Sequence, residues 1–194
     1  MANYDPFAPN ADRSIPVNTE TPLRGPVILL PYDSKWAEMY ESEAAIIREA
    51  LGEKALVLEH VGSTSVPGLI AKPCIDITLG VAESAHEEAY APELDAAGFV
   101  LRRREPDWHE HRVFKSERIN VNLHVWTIGS IELGRHIAFR DWLRSHPEDR
   151  DDYADAKREI ASGNFEHMNQ YADAKDEIVR RILGKIEAAA DTIG

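Results

Sequence analysis

The stretch from Glu59 to Ile77, EHVGSTSVPGLIAKPCIDI, restricts the fold more than any other part of the chain. It joins two apolar segments through a loop of small, hydroxyl-bearing, glycine and proline residues, so one strand must end and another begin around a tight turn. Backbone N–H groups and hydroxyls in such a turn are left free to surround an anion. The second segment then delivers one carboxylate, Asp76, into a run that otherwise reads as a buried strand.

The strand periodicity places that carboxylate. In Cys74–Val81, residues Ile75, Ile77, Leu79 and Val81 share one face, while Cys74, Asp76 and Thr78 share the other. Ile119–Trp126 repeats the pattern: Ile119, Val121, Leu123 and Val125 face one way, and Asn120, Asn122, His124 and Trp126 the other. Strands with one apolar and one polar face predict a sheet covered by helices on one side, with a cleft on the other. Ala55–Val61, Phe99–Arg103 and Arg112–Phe114 are further predicted strands. Helices are predicted over Trp36–Leu51, Glu83–Ala97 with Pro92 as an interruption, Ile131–Ser145, Pro147–Ala161 and Glu166–Ala190. Asp33 or Ser34 caps the first of these, and Gly52 ends it. Residues 1–26, polar and carrying five prolines, read as a flexible arm outside the core, and residues 27–194 as a single α/β (α+β) domain.

Composition narrows the function. A net charge of −12 argues against broad nucleic-acid binding, which requires a basic footprint. The single cysteine, Cys74, excludes an intramolecular disulfide and fits a reducing compartment. No apolar run has spanning length and no signal-peptide core is present, so the expectation is a cytoplasmic protein without membrane contact.

Candidate chemistry gathers on the polar face. Gly62, Ser63, Thr64 and Ser65 offer donors to a phosphate, and Lys72 offers charge; the alternative is a polar turn with locally capped hydroxyls. A lone carboxylate in a strand is costly to bury unless paired, hydrogen-bonded or metal-bound. Asp76 therefore reads as a hard-cation ligand holding Mg²⁺ against phosphate oxygens, or as a partner of Lys72, Arg112 or a capping group. Asn122 and His124 share its face. The histidine suits phosphate binding, acid–base work or metal ligation, and equally a half-buried structural role. Glu132, His136, Arg140 and Arg144 step by four along one helical face with Arg135 beside them; either Arg135 or Arg140 suits an anionic ligand, against a solvated Glu–His–Arg ladder. Arg102–Arg104 read as a solvated strand end. His109 and His111, flanking Glu110, match no standard zinc spacing.

Together these segments resemble the GrpB family, also called UPF0157, from about Ile28 to Ile186. Besides EHVGSTSVPGLIAKPCIDI, the resemblance is carried by YDSKW (Tyr32–Trp36), NLHVW (Asn122–Trp126), GRHIAFRDWLRSHPED (Gly134–Asp149) and YADAK (Tyr171–Lys175). It implies a nucleotidyltransferase-like fold related to the core of the DNA polymerase beta superfamily: a mixed sheet with helices mainly on one face and a helical C-terminal region. The resemblance assigns no activity; the loop-plus-acid arrangement itself leads to the expectation of a bound nucleotide or another phosphorylated small molecule, with His124, Arg135, Arg140 and Lys175 completing the pocket, and of Mg²⁺-dependent nucleotidyl transfer to an unknown acceptor. The rivals are a non-catalytic nucleotide sensor and an accessory domain for an unknown protein partner. Some family members are fused to dephospho-CoA kinase, but this chain has no GxxxxGK[ST] loop, so that phosphoryl transfer is not expected of it. It also departs from a working nucleotidyltransferase. The superfamily follows its glycine-serine turn with two acids two residues apart and adds a third on a later strand. Here Asp76 is flanked on its face by Cys74 and Thr78, the later strand offers Asn122 and His124, and Glu59 precedes the turn.

Overall fold

The computed structural model describes residues 5–9, 11–20, 26–163 and 165–193. Helix α1 (Lys35–Leu51) begins where the Asp33 carboxylate accepts the Lys35 N–H at 2.9 Å, and it ends at Gly52, whose φ of 53° suits glycine. Strands β1 (Val57–Val61) and β2 (Ile75–Val81) flank the predicted loop. Helix α2 (Ala91–Ala96) then leads to β3 (Phe99–Glu105), β4 (His111–Ser116) and β5 (Val121–Thr127). The sheet order is β1-β2-β5-β4-β3, with β2 and β5 parallel and every other pair antiparallel. Among the described residues no helix is long and apolar enough to cross a membrane.

Register decides what the polar face presents. Asp76 pairs with Asn122, Thr78 with His124, His124 with Val113, and Glu105 with His111. Because side chains alternate, Asp76, Asn122, His124, Lys115, His111 and Glu105 all rise from one side of the sheet. The opposite face, with Ile75, Ile77, Leu79, Val121, Leu123 and Val125, packs under α1 and α2 through Trp36, Tyr40, Ile47, Leu51 and Leu94.

The remaining helices are α3 (Ile131–Ser145), α4 (Pro147–Ala161), α5 (Met168–Asp173) and α6 (Asp176–Ile193). Leu143, Tyr153, Ala154, Ile178 and Ile182 form a second core with Val66 and Leu69 of the loop. This helical region sits against the polar face, so the cleft expected there is walled by helices. The approach is close: a Cβ on Gly80 would lie 2.9 Å from Leu133 Cδ1.

Four expectations are corrected. The helix over Glu83–Ala97 is only a 3₁₀ turn (Glu87–Ala89) and α2, because Pro92 sits in the first turn of α2, where its missing N–H costs nothing, rather than inside a longer helix. The last helix is broken at Ala174–Lys175 into α5 and α6; the Gln170 side chain accepts the N–H groups of Glu166 and His167 and starts α5 as a separate element. The N-terminal arm is not outside the core, although residues 1–4, 10 and 21–25 lie outside the described part. Phe7 is buried beside Trp36, and its carbonyl accepts the Asn120 N–H at 2.8 Å. Asn18 donates its N–H to the Arg102 carbonyl and accepts the Arg104 N–H, covering part of the open edge of β3. Arg102, expected in solvent, is buried under the arm and donates to the carbonyls of Asp12 and Ile15.

Truncating Phe7 to alanine is therefore expected to lower the unfolding free energy by about 3 kcal/mol in urea titration. A change below about 0.5 kcal/mol, the range of surface substitutions, would place the ring outside the core.

Candidate functional site

The turn between β1 and β2 is built on Gly62. Its φ is 67°, and a Cβ there would lie 2.9 Å from the Asp76 Cβ and closer still to the carboxylate. Only glycine lets the turn fold down onto Asp76. A 3₁₀ turn, Ser63–Ser65, follows. Ser65 donates its hydroxyl to the Gly62 carbonyl at 2.6 Å, and the Thr64 hydroxyl lies 3.0 Å from His60 Nε2 and bonds the Cys74 carbonyl. Those two hydroxyls fix the turn and are not presented to a ligand. Ser63 is different: its Oγ accepts from Lys157 Nζ at 3.0 Å at the cavity wall.

The cavity encloses about 700 Å³ between the polar face of the sheet, the turn and the helical region. Gly62, Ser63, Thr64, Lys72, Asp76, Asn122, His124, Arg135, Arg140 and Lys175 line it, while Ser65 does not. The two arginines are engaged. Arg140 donates to Glu59 at 2.7 Å, to the His60 carbonyl at 2.9 Å and to Asp141, tying α3 to β1. Arg135 pairs with Glu132 and Glu187 at the cavity's edge. Glu59, the spare acid, thus serves Arg140.

Sequence reasoning missed Lys157, Lys115 and Glu105, and it weighed His111 only as a zinc ligand and set it aside. Lys157, on α4, is 2% exposed; it donates to Ser63 and to the Ile70 carbonyl, and lies 4.7 Å from the centre of the Tyr153 ring. Burial, assisted by nearby Lys175 and Arg158, lowers its pKa to about 7. Lys175 lies 4.9 Å over the Tyr171 ring, and burial lowers its pKa against the pull of Asp76. Lys115 donates to Asn122 Oδ1, which fixes that amide so that its Nδ2 donates to Asp76 Oδ1 at 2.6 Å. An alternating strand hints at Lys115. Nothing in a helical repeat singles out Lys157, which only the packing of α4 against the turn brings to Ser63.

Asp76 stays charged. Burial raises its pKa, but His124, with Nε2 at 3.8 Å from Oδ1, the Asn122 bond and the field of Lys72 outweigh this and hold it well below the usual carboxylate range. His124 in turn meets His111, Nδ1 to Nε2 at 3.0 Å, and His111 Nδ1 meets Glu105 Oε2 at 2.7 Å. The His111 ring stacks on Trp126 at 3.9 Å, and burial lowers its pKa to about 4. As to Mg²⁺, Asp76 is a single hard ligand, and among the described residues no group of three or more His, Cys, Asp or Glu is placed to hold a metal. That donor set suits an ion carried mostly by phosphates and water, not a two-metal clamp.

Two measurements test this geometry. Gly62→Ala is expected to destabilise the fold by about 1–3 kcal/mol, through left-handed strain and the clash with Asp76; an unchanged urea midpoint would contradict the contact. Burial also holds His60 and His136 neutral, at about 4 and about 3. With folded pKa values below the ordinary 6.5, the three imidazoles bind protons more readily when unfolded. Their stability contribution is present above pH 6.5 and is lost as pH falls toward 4. Unfolding free energy is expected to drop by at least about 3 kcal/mol between pH 7 and 5, and a flat profile across that window would contradict their burial.

Comparison with known proteins follows the same boundaries. The family model described as GrpB protein matches residues 26–185. A UPF0157 protein of Halalkalibacterium halodurans is 46% identical over 187 residues, covering 96% of each chain. The crystal structure of the conserved protein GrpB from Enterococcus faecalis superposes with a TM-score of 0.70 at 28% identity, covering 82% of this chain and 96% of that one. A dephospho-CoA kinase of Mycobacterium tuberculosis is 32% identical over 184 residues; the match covers 78% of this chain but only 42% of the kinase.

Proposed function

The chain belongs to the GrpB family, and we propose on that footing that its cavity binds a nucleotide or another phosphorylated small molecule. The observation that carries this reading is a local inversion of charge. The protein carries a net −12, yet among the described residues the cavity is lined by eight Lys and Arg against four Asp and Glu. Cations brought out of water are costly unless something compensates them, and a multiply charged anion among Lys157, Lys175 and Lys115 would do so. Ser63 and Lys157 would take phosphate oxygens, since charge-assisted hydrogen bonds are the strong ones. The volume of about 700 Å³ fits a nucleotide-sized ligand.

The finer reading is nucleotidyl transfer. An acceptor hydroxyl would attack the α-phosphorus in line, the bond to the bridging oxygen would break, and pyrophosphate would leave with its charge met by the lysines. Bound Mg²⁺ would supply further charge neutralisation, with Asp76 as the residue to hold it. The single carboxylate favours a second reading, a nucleotide sensor that binds without turnover.

Calorimetric titration with ATP, GTP, CTP, UTP and coenzyme A, each with and without Mg²⁺, tests the proposal. At least one is expected to bind below millimolar, Lys157→Met to weaken it about ten-fold or more, and Asp76→Ala to abolish the Mg²⁺-dependent part. No binding below millimolar by any of them would overturn the phosphate reading. Pyrophosphate release from labelled triphosphate separates transferase from sensor.

A further inference from the structure

Across the sheet from the turn, the loop between β3 and β4 holds Trp108 in the cavity wall. The indole is 42% exposed, but it is not loose. Its ring meets His111 and Trp126 in T-shaped contacts, with centroids 5.1 and 5.2 Å away, and those two buried rings stack on each other at 3.9 Å. T-shaped contacts are a favoured aromatic geometry, so the indole has a rigid mount. The loop also places two consecutive non-glycine residues, His109 and Glu110, at φ of 51° and 53°. Left-handed backbone at such residues is costly and persists where the surrounding fold enforces it, as at ligand sites. The fold thus presents a fixed, half-open aromatic ring to a part of the cavity that phosphate binding at Ser63 and Lys157 leaves unused.

We infer that Trp108 is the stacking platform for the base of a nucleotide whose phosphates lie toward Ser63 and Lys157; this deepens the phosphate reading and rests on it. Spacing supports the assignment. His111, on which Trp108 leans, starts β4, and Asp76 lies on β2, two strands away and so about 9–10 Å across the sheet. That separation leaves room for a ribose between base and phosphates. Charge also changes along the cavity. Lys115, Lys157 and Lys175 all sit within the field of Asp76, beside the turn. Glu105 and Glu132 instead flank Trp108, the first 2.7 Å from His111 and the second 4.0 Å from His109. Carboxylates there disfavour a phosphate but can accept the amino or ring N–H groups of a base. A phosphorylated sugar or an inorganic polyphosphate has nothing to lay on the indole. Every base has a π-face, so the platform selects nucleotides over other phosphorylated molecules without choosing among the bases.

Comparing whole nucleotides with their phosphate part alone lets the two readings fail separately. ATP, GTP, CTP, UTP and inorganic tripolyphosphate are each titrated into the full chain in one buffer, by calorimetry and by tryptophan fluorescence. At least one nucleotide is expected to bind about five-fold or more tighter than tripolyphosphate, with a change in tryptophan emission that tripolyphosphate does not produce. Trp108→Ala is expected to weaken that nucleotide about five-fold or more and to leave tripolyphosphate affinity within about two-fold. Trp108→Phe keeps a ring, so it should retain most of the affinity and lose the emission change. Folding is checked by circular dichroism. If Trp108→Ala does not fold, the comparison of nucleotide with tripolyphosphate on the unaltered protein decides. Nucleotides binding no tighter than tripolyphosphate, or unchanged nucleotide affinity in folded Trp108→Ala, would overturn the inference and leave the phosphate reading standing. Binding by none of the five compounds would overturn both.

Discussion

The contact between Gly62 and Asp76 is the constraint from which the rest of the site follows. Because Gly62 has no Cβ and accepts a positive φ, the chain leaving β1 folds down onto the carboxylate of β2. That places Ser63 at the cavity wall while Thr64 and Ser65 lock the turn from within. The helical region then holds the turn from outside. Arg144 of α3 donates to the Ser65 carbonyl at 2.8 Å, Arg140 to the His60 carbonyl, and Lys157 of α4 to the Ser63 hydroxyl and the Ile70 carbonyl. A side chain at position 62 would disturb the carboxylate, the turn and the docking of two helices together.

The same geometry gives the sheet two unlike faces. One is an apolar layer under α1 and α2, which supplies most of the stabilising burial. The other carries a strip of Asp76, Asn122, His124, Lys115, His111 and Glu105, each bonded to a neighbour across the strands. A packed apolar layer would serve stability at least as well as such a strip, since desolvating charges offsets much of what their pairing contributes. Its joined hydrogen bonds instead hold each group in one orientation, which a binding site needs.

Much of this was legible in the sequence where one physical cause dominates. Alternation in Cys74–Val81 and Ile119–Trp126 put Asp76, Asn122 and His124 on one face, and the register aligned them. The helices Ile131–Ser145 and Pro147–Ala161 carry their own boundary signals and fall as expected. What was not legible depends on long-range packing. Ser65 and Thr64 look like phosphate donors until the turn uses their hydroxyls, and Arg140 looks available until Glu59 and the His60 carbonyl take it. Lys157 reads as a solvated helix residue because its partners lie 87 and 94 positions away. Phe7 reads as part of a polar arm because one aromatic ring leaves no periodic signal.

The charge inversion in the cavity is the central claim, and seeing where phosphate sits tests it most directly. A crystal structure of the protein grown with a nucleoside triphosphate should place phosphate oxygens within hydrogen-bond reach of Ser63 Oγ and Lys157 Nζ, with Lys175 beside them. Phosphates found only on the outer surface of the protein, with the cavity holding none, would contradict it.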